Sequence, residues 1–302
     1  MRKYFIHPDT PRFKGQLHFH TKNSDGAYTP DEALRAYKEK GYDFVAFTEH
    51  NRPTCGGMRD GVLVLSGIEL NQNIIEDGYR AAHHIIGIDF DTEKFILPPA
   101  GSQTQALIDA IKKAGGIAIY AHPAWSMVTA EEIKPFKGID IIEVMNGVSE
   151  IFHDRGDSSQ QIDKLMSEGY VYGLAASDDT HYYKGEFAST ATIALCGSLE
   201  KVPEALRSGD TYCTTMGPAI KSLYAEDGKL FAECEKAERI LFMSDIFYST
   251  PERFHVSEGT PLTSASYTPC QNDSYVRVVA IDKNGKKSWS NYIAVKDITS
   301  TK

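Results

Sequence analysis

Residues 16–50, QLHFHTKNSDGAYTPDEALRAYKEKGYDFVAFTEH, decide the architecture. Gln16–His20 and Asp43–Thr48 are short apolar runs of strand type, and the stretch between them carries every signal of a helix. Thr29 can cap it, Pro30 suits its first turn, Asp31 and Glu32 complement its positive end, and Gly41 closes it. Strand, helix and strand in this order form the repeating unit of a parallel sheet, because parallel neighbours need a long crossover. The alternation continues to about residue 215. Further strand candidates are Val62–Ile68, Ile85–Phe90, Ile117–Ala121, Asp140–Val144, Val171–Ala175 and Thr192–Leu195. Helices are expected over Gln103–Ala114, Ala130–Phe136, Ser158–Glu168 and Glu200–Arg207. The expected fold is α/β, an irregular βα barrel.

After Gly217-Pro218 the pattern changes to β-type runs such as Arg239–Met243 and Tyr275–Ile281. Asp282-Lys283-Asn284-Gly285 between two such runs is a hairpin signal, since Asn-Gly supplies the positive φ a tight turn needs. Residues 1–217 are therefore expected to form the barrel and 218–302 a small, sandwich-like β domain. The chain has 302 residues, enough for one large core and a lesser one. With 41% hydrophobic and 24% charged residues it reads as globular. A formal charge of −9 opposes a long polyanion or an anionic membrane as partner. Neither a leader-like apolar run near Met1 nor a membrane-length apolar segment is present, so a cytoplasmic location is the expectation. Cys55, Cys196, Cys213, Cys234 and Cys270 are odd in number and scattered, as buried free thiols would be, and they carry no chemistry in this reading.

Chemistry gathers at the predicted strand ends. His18 and His20 are two apart on an extended run, so both project to one face. His50 ends the next strand, Glu69 the third, His122 follows Ile117–Ala121, and Asp179 and His181 follow the run at Val171. In a parallel barrel all these ends lie on one face. Imidazoles and carboxylates gathered there leave charge and lone pairs uncompensated unless a cation sits among them. A mixed nitrogen and oxygen shell suits Zn, Mn or Fe, and the donors exceed what one ion accepts, so two or three ions are expected, with Glu69 and Asp179 bridging.

The blocks His18-Phe19-His20-x-x-x-Ser24-Asp25-Gly26, Thr48-Glu49-His50-Asn51, Gly67-Ile68-Glu69, His84-Ile85-Ile86-Gly87, Ala121-His122-Pro123 and Ser177-Asp178-Asp179-Thr180-His181 together resemble the PHP (polymerase and histidinol phosphatase) superfamily. They occur in that family's order over residues 16 to 181. The resemblance implies a distorted seven-stranded βα barrel with a trinuclear site of Zn, Mn or Fe, and phosphoesterase activity in stand-alone members. By position His18, His20, Asp25, His50, Glu69, His84, His122, Asp179 and His181 correspond to its metal ligands. His83 would replace His84 if the strand register differed by one residue. Asp178 is read as a supporting or capping neighbour of Asp179. Glu49 stands where relatives commonly carry Asp, placed to orient a histidine or a metal-bound water.

Such a site hydrolyses phosphate esters of a small metabolite with a metal-bound hydroxide held by Glu69 and Asp179, needing no protein nucleophile. Lys22, Arg52, Arg155 and Lys184, near the motif loops, are candidates for gripping the substrate phosphate, with Arg52 foremost. Glu143 and Asn146 can face the same mouth, and His153 is a candidate polar contact. Two alternatives differ in class. A metal-dependent amidohydrolase also opens on His-x-His but commonly needs a bridging lysine, which no strand end here presents. A non-catalytic metal-binding accessory domain would not need so full a donor set.

Overall fold

The computed structural model describes residues 2–76, 79–246, 248 and 250–301. Arg12–Gln16 pairs in parallel with Phe44–Ala46, which pairs in parallel with Val62–Leu65. A second sheet of five strands has the order Gly173–Ser177, Ile141–Asn146, Ile117–Tyr120, Tyr79–Ile88, Gly67–Glu76. Two isolated parallel bridges, Phe19 to Thr180 and His50 to Glu69, tie the sheets together. The strands thus surround a common core without joining into one regular cylinder. Ile86, Ile117, Ile119, Ile141 and Ala175 of the second sheet pack with Leu17, Phe44, Ala46 and Leu65 of the first.

Three sequence expectations change here. Val62–Ile68 is not one strand: it breaks at Ser66, and a new strand, Gly67–Glu76, begins. Gly67 makes the crossing, since a Cβ there would lie 2.3 Å from the Phe47 carbonyl oxygen. The next strand, Tyr79–Ile88, is longer than expected and runs antiparallel to both neighbours. The two form a hairpin in which Glu69 pairs with Ile86 and Asn71 with His84. Glu69 and His84 are therefore interior strand residues, and the hairpin continues past them. Gln16–His20 also shifts, with the strand ending at Gln16 and only Phe19 bridging beyond it.

The helices follow their local signals. Pro30–Glu39 has a capping box in which Thr29 accepts from the Glu32 amide and Glu32 accepts from Thr29, and it buries Ala33, Leu34 and Tyr37. Thr104–Lys113, Ala130–Ile133, Ser159–Ser167 and Val202–Ser208 fall where the pattern placed them, with slightly shorter spans. A further helix, Gly147–His153, carries no apolar period long enough to announce it; Asn146 caps it by accepting from the Ser149 amide at 3.0 Å.

Beyond Gly217 the chain is β-rich, and its strands share sheets with earlier ones. Thr211–Thr214 pairs with Lys287–Ser290, which extends the first sheet to eleven strands. The chain's first strand, Lys3–Ile6, pairs with Ile220–Glu226 in a separate four-stranded sheet. The Asp282–Gly285 turn closes the expected hairpin, with Gly285 at φ 81° and Ile281 opposite Lys287. Trp289 is buried in the core. All five cysteines are free; Cys213 and Cys234 are buried as expected, whereas Cys55 and Cys270 are exposed. Among the described residues no helix is long and apolar enough to cross a membrane.

Candidate metal centre

Past Gln16 the backbone stays extended, which places His18 and His20 on one side with ring centroids 5.3 Å apart and sends Phe19 into the core against Tyr37 and Phe47. The Gln16 side-chain oxygen accepts from the amides of Leu17, His18 and Asp178, locking this segment to the one that carries Asp179. The loop after His20 then folds tightly back, with the Gly26 amide donating to the Thr21 carbonyl. A Cβ on Gly26 would fall 2.2 Å from the His20 carbonyl oxygen, so only glycine lets the loop bring Asp25 round. His122 and Asp179 sit at positive φ, 31° and 52°. Such strained backbone at non-glycine residues costs of order 1–3 kcal/mol and persists where surrounding structure enforces it.

Three overlapping donor groups result: His20, Asp25, His50 and His181; His18, His20 and Asp179; and Glu69, His84 and His122. All nine residues expected as ligands are brought together. Glu69 Oε2 lies 3.0 Å from His50 Nδ1, 3.1 Å from His20 Nε2 and 3.4 Å from His18 Nε2. Asp179 Oδ1 lies 3.1 Å from both His18 Nε2 and His20 Nε2. Yet both oxygens are buried without a hydrogen bond of acceptable geometry. Buried carboxylate oxygens encircled by lone-pair donors, none of them bonding, fit a cation held in common. Asp25 is the outer member, 3.5 Å from His50 Nε2 and from His181 Nε2.

The electrostatics agree. Burial alone would lower His18 and His20, but Asp179 and Glu69 outweigh it, raising His18 well above its usual value and His20 to about 9. Conversely, burial would raise Glu69 and Asp179, and the surrounding imidazoles hold both well below the carboxylate range. The hydrogen bond from His181 holds Asp25 at about 2. His50, farther out, is lowered by burial. The field that draws protons onto these rings would equally draw divalent cations in their place.

Around the donors lies a supporting shell. Glu143 accepts from His18 Nδ1 at 2.9 Å, from the His122 amide at 2.9 Å and from Asn146 at 3.0 Å. It is fully buried, so it orients His18 from behind and does not face the mouth as the sequence suggested. Asn146 is likewise buried, bonded to Asp179 Oδ2 at 3.2 Å. Glu49 takes bonds from Thr21 and Ser24, and Ser24 in turn lies 3.3 Å from His20 Nδ1. Glu49 therefore reaches the centre only through Ser24 and is closed off from the mouth. Burial pushes Asp178 up to about 6, against donors that include Tyr37 and the amides of Ala188, Ser189 and Thr190. It anchors the segment after His181. His84, not His83, faces the donors; His83 turns away to the Tyr120 hydroxyl, 2.5 Å distant.

The donors open into a cavity of about 530 Å³. Of the four cationic candidates only Lys184 lines it. Arg52 instead donates to the Asn23 carbonyl, Arg155 lines a neighbouring groove, and Lys22 is exposed outside the cavity lining. His153 does line it, together with Trp125, Phe152 and Tyr182, which sequence reasoning passed over. Trp125 had a usable signal, standing three residues after His122; Phe152 depended on a helix that was not foreseen, although its neighbour His153 was named as a candidate.

Imidazoles and carboxylates converging from both sheets of an α/β fold define a protein with a candidate multi-metal centre. The PHP domain model matches residues 16–205, and the chain belongs to this family. An uncharacterized protein of Methanocaldococcus jannaschii is 30% identical over 152 residues, covering 44% of this chain and 81% of that one. Among solved structures, a two-domain protein of Bacteroides vulgatus containing a predicted PHP-like metal-dependent phosphoesterase superposes with a TM-score of 0.51 at 14% identity, over 97% of this chain and 99% of that one. An amidohydrolase of Chromobacterium violaceum, with bound sulfate and no metal, gives a TM-score of 0.41 at 17% identity, over 57% of this chain and 89% of that one.

Proposed function

We propose that this chain hydrolyses phosphate esters of a small metabolite at a site of two or three divalent transition metals, Zn, Mn or Fe. The observation that carries the reading is the pair of unbonded, buried oxygens, Glu69 Oε2 and Asp179 Oδ1, each ringed by imidazole nitrogens. Glu69 and Asp179 would be shared between ions; His18, His20, Asp25, His50, His84, His122 and His181 complete the set. When bound, such metals draw charge from phosphoryl oxygens and acidify a water, which is the chemistry ester hydrolysis needs.

The chain's own side chains do the rest. Lys184 on the cavity wall offers its ammonium to the phosphoryl oxygens. Glu143 keeps the proton of His18 on Nδ1, so that Nε2 faces the centre. Among the described residues His153 is the one cavity-lining imidazole outside the donor set, and we assign it to protonating the leaving oxygen as the phosphorus–oxygen bond breaks. Residues 1–217, read as a distorted barrel, carry this chemistry, and 218–302 buttress it. Incubating metal-replete protein with a panel of phosphomonoesters, phosphodiesters and amides should release phosphate or cleave the diesters. Cleavage of carbon–nitrogen bonds without any phosphoester turnover would overturn the reading in favour of an amidohydrolase.

A further inference from the structure

The catalytic cavity does not end at Trp125. A second groove of about 520 Å³ shares Trp125 and His153 with it, so those two side chains form a common wall and the spaces adjoin. The groove runs under the outer part of the hairpin, along Asn73, Ile74 and Ile75, and is floored by Ala81, Ala82 and Met127. It is mostly apolar, and two of its apolar side chains are unusually open, Ile75 at 73% and Met127 at 59% exposed. Met127 is held out at φ 57°, left-handed backbone that a side chain of its size adopts only where surrounding structure imposes it. Exposed apolar groups grouped beside a polar site mark a surface meant to be covered.

Two cations stand in this apolar groove, Arg80 and Arg155. Among the described residues neither meets a carboxylate; the contact of the Arg155 guanidinium is Met127 Sδ, at 3.2 Å. Arg2, Arg207, Arg253 and Arg277 each pair with an acidic side chain, whereas Arg12, Arg52 and Arg59 donate to backbone carbonyls. Arg80 and Arg155 differ from these in lining together one mostly apolar groove beside the catalytic cavity. They are suited to an incoming anion, which the planar guanidinium fork binds in two-point fashion.

We propose that this groove seats the leaving group of the substrate, and that this leaving group is an apolar spacer ending in a second anionic group, phosphate or carboxylate, bound by Arg80 and Arg155. The inference rests on the phosphoesterase reading for the position of the reacting phosphate. With that phosphate at the metal centre and its leaving oxygen toward His153, the rest of the molecule passes Trp125 into the groove. Together the two spaces are of the size that encloses a whole metabolite.

Binding tests this without turnover. Metal-loaded protein is titrated calorimetrically with alkyl phosphonates, α,ω-alkane bisphosphonates and ω-phosphonoalkanoates of matched chain length. The doubly anionic probes should bind at least about tenfold more tightly than the singly anionic ones, a difference of about 1.4 kcal/mol, because hydrogen bonds to a charged group are the stronger kind. A preference shown only by the bisphosphonates identifies the far group as phosphate, and one shown by both identifies any anion. In the Arg80→Gln/Arg155→Gln double variant the preference should vanish, while Arg155→Lys keeps part of it. Equal affinity for both probe types in the wild type would overturn the proposal, as would a parallel loss for both in the double variant. Failure of the phosphoesterase reading itself would show separately, as no phosphate release from the corresponding esters.

Discussion

Glu143 shows how far single residues could be read. Four of the nine donors were legible from spacing, in His18-x-His20 and Asp179-x-His181, which place side chains on one face; His50, Glu69 and His122 were read from expected strand ends, and Asp25 and His84 from the family resemblance. Glu143 lies inside the apolar run Ile141–Asn146, where nothing local says whether it faces water, substrate or a histidine. Its role appears only once His18 and the His122 amide, distant in sequence, are within 2.9 Å. Lys22, Arg52 and Arg155 lie outside the lining of the metal cavity for the same reason, because proximity to a motif along the chain does not determine where a long side chain ends. We expect Glu143→Gln to weaken metal binding roughly 10–100-fold, since the amide removes the charge that fixes the His18 tautomer and cannot accept from every donor facing it. Competition with a fluorescent chelator measures this. Unchanged affinity would mean that Glu143 only fills space.

At the scale of elements, helices announced themselves by caps while strand boundaries did not. Thr29, Glu32, Pro30 and Gly41 mark both ends of one helix locally. By contrast, Val62–Ile68 reads as one apolar run, and its break at Ser66 exists because the residues on either side pair with different neighbours. The hairpin of Gly67–Glu76 and Tyr79–Ile88, which roofs the groove with Arg80, was missed on that account. In the C-terminal region a buried network ties the segment around Ser244 to the strand Leu262–Tyr267. Asp273 accepts from Tyr267 at 2.5 Å, Arg253 at 2.5 Å, Ser244 at 2.8 Å and the Cys270 amide at 2.8 Å. Burial would raise the Asp273 carboxyl, but these donors outweigh it and hold it below the usual value. A depressed carboxyl contributes stability that is complete above its unfolded value near ~4 and is lost as pH falls through the lower folded value. Asp273→Asn should therefore cost about 3 kcal/mol at neutral pH, by leaving Arg253 buried without its counter-charge. It should also flatten the decline in stability below about pH 4. Denaturant titrations across pH measure both effects, and identical pH slopes in variant and wild type would count against the assignment.

The whole molecule was legible in class and blurred at its seam. The change of pattern at Gly217 is real, but one eleven-stranded sheet runs through it, with Cys213 opposite Trp289. The first strand, Lys3–Ile6, lies in a sheet built otherwise from later residues. Sequence could not show this, since pairings across more than two hundred residues leave no local trace. Ion pairs cross the same seam: Arg277, 1% exposed, makes a two-point contact with Asp163 at 2.7 Å, and Lys287 meets Asp157 at 2.6 Å. Asp157 lies just beyond the helix Gly147–His153 that walls the cavity, so the C-terminal strands brace that wall. We expect one cooperative unfolding transition. In a Trp125→Phe background, Trp289 fluorescence reports the C-terminal part and far-ultraviolet circular dichroism the helices, and their midpoints should coincide. A separate, earlier Trp289 transition would mean that the C-terminal strands come away on their own.

If the nine converging side chains form one multi-metal centre that hydrolyses phosphate esters, metal content and activity rise together. This is measured by stripping the protein with chelator, adding back Mn or Zn in steps, and following bound metal and phosphate release together. Release should rise with occupancy and level off at two or three equivalents, and His20→Ala, folded by circular dichroism, should bind less metal and release no phosphate. Undiminished phosphate release from the stripped protein, or from His20→Ala, would show that these nine side chains do not form the reacting centre.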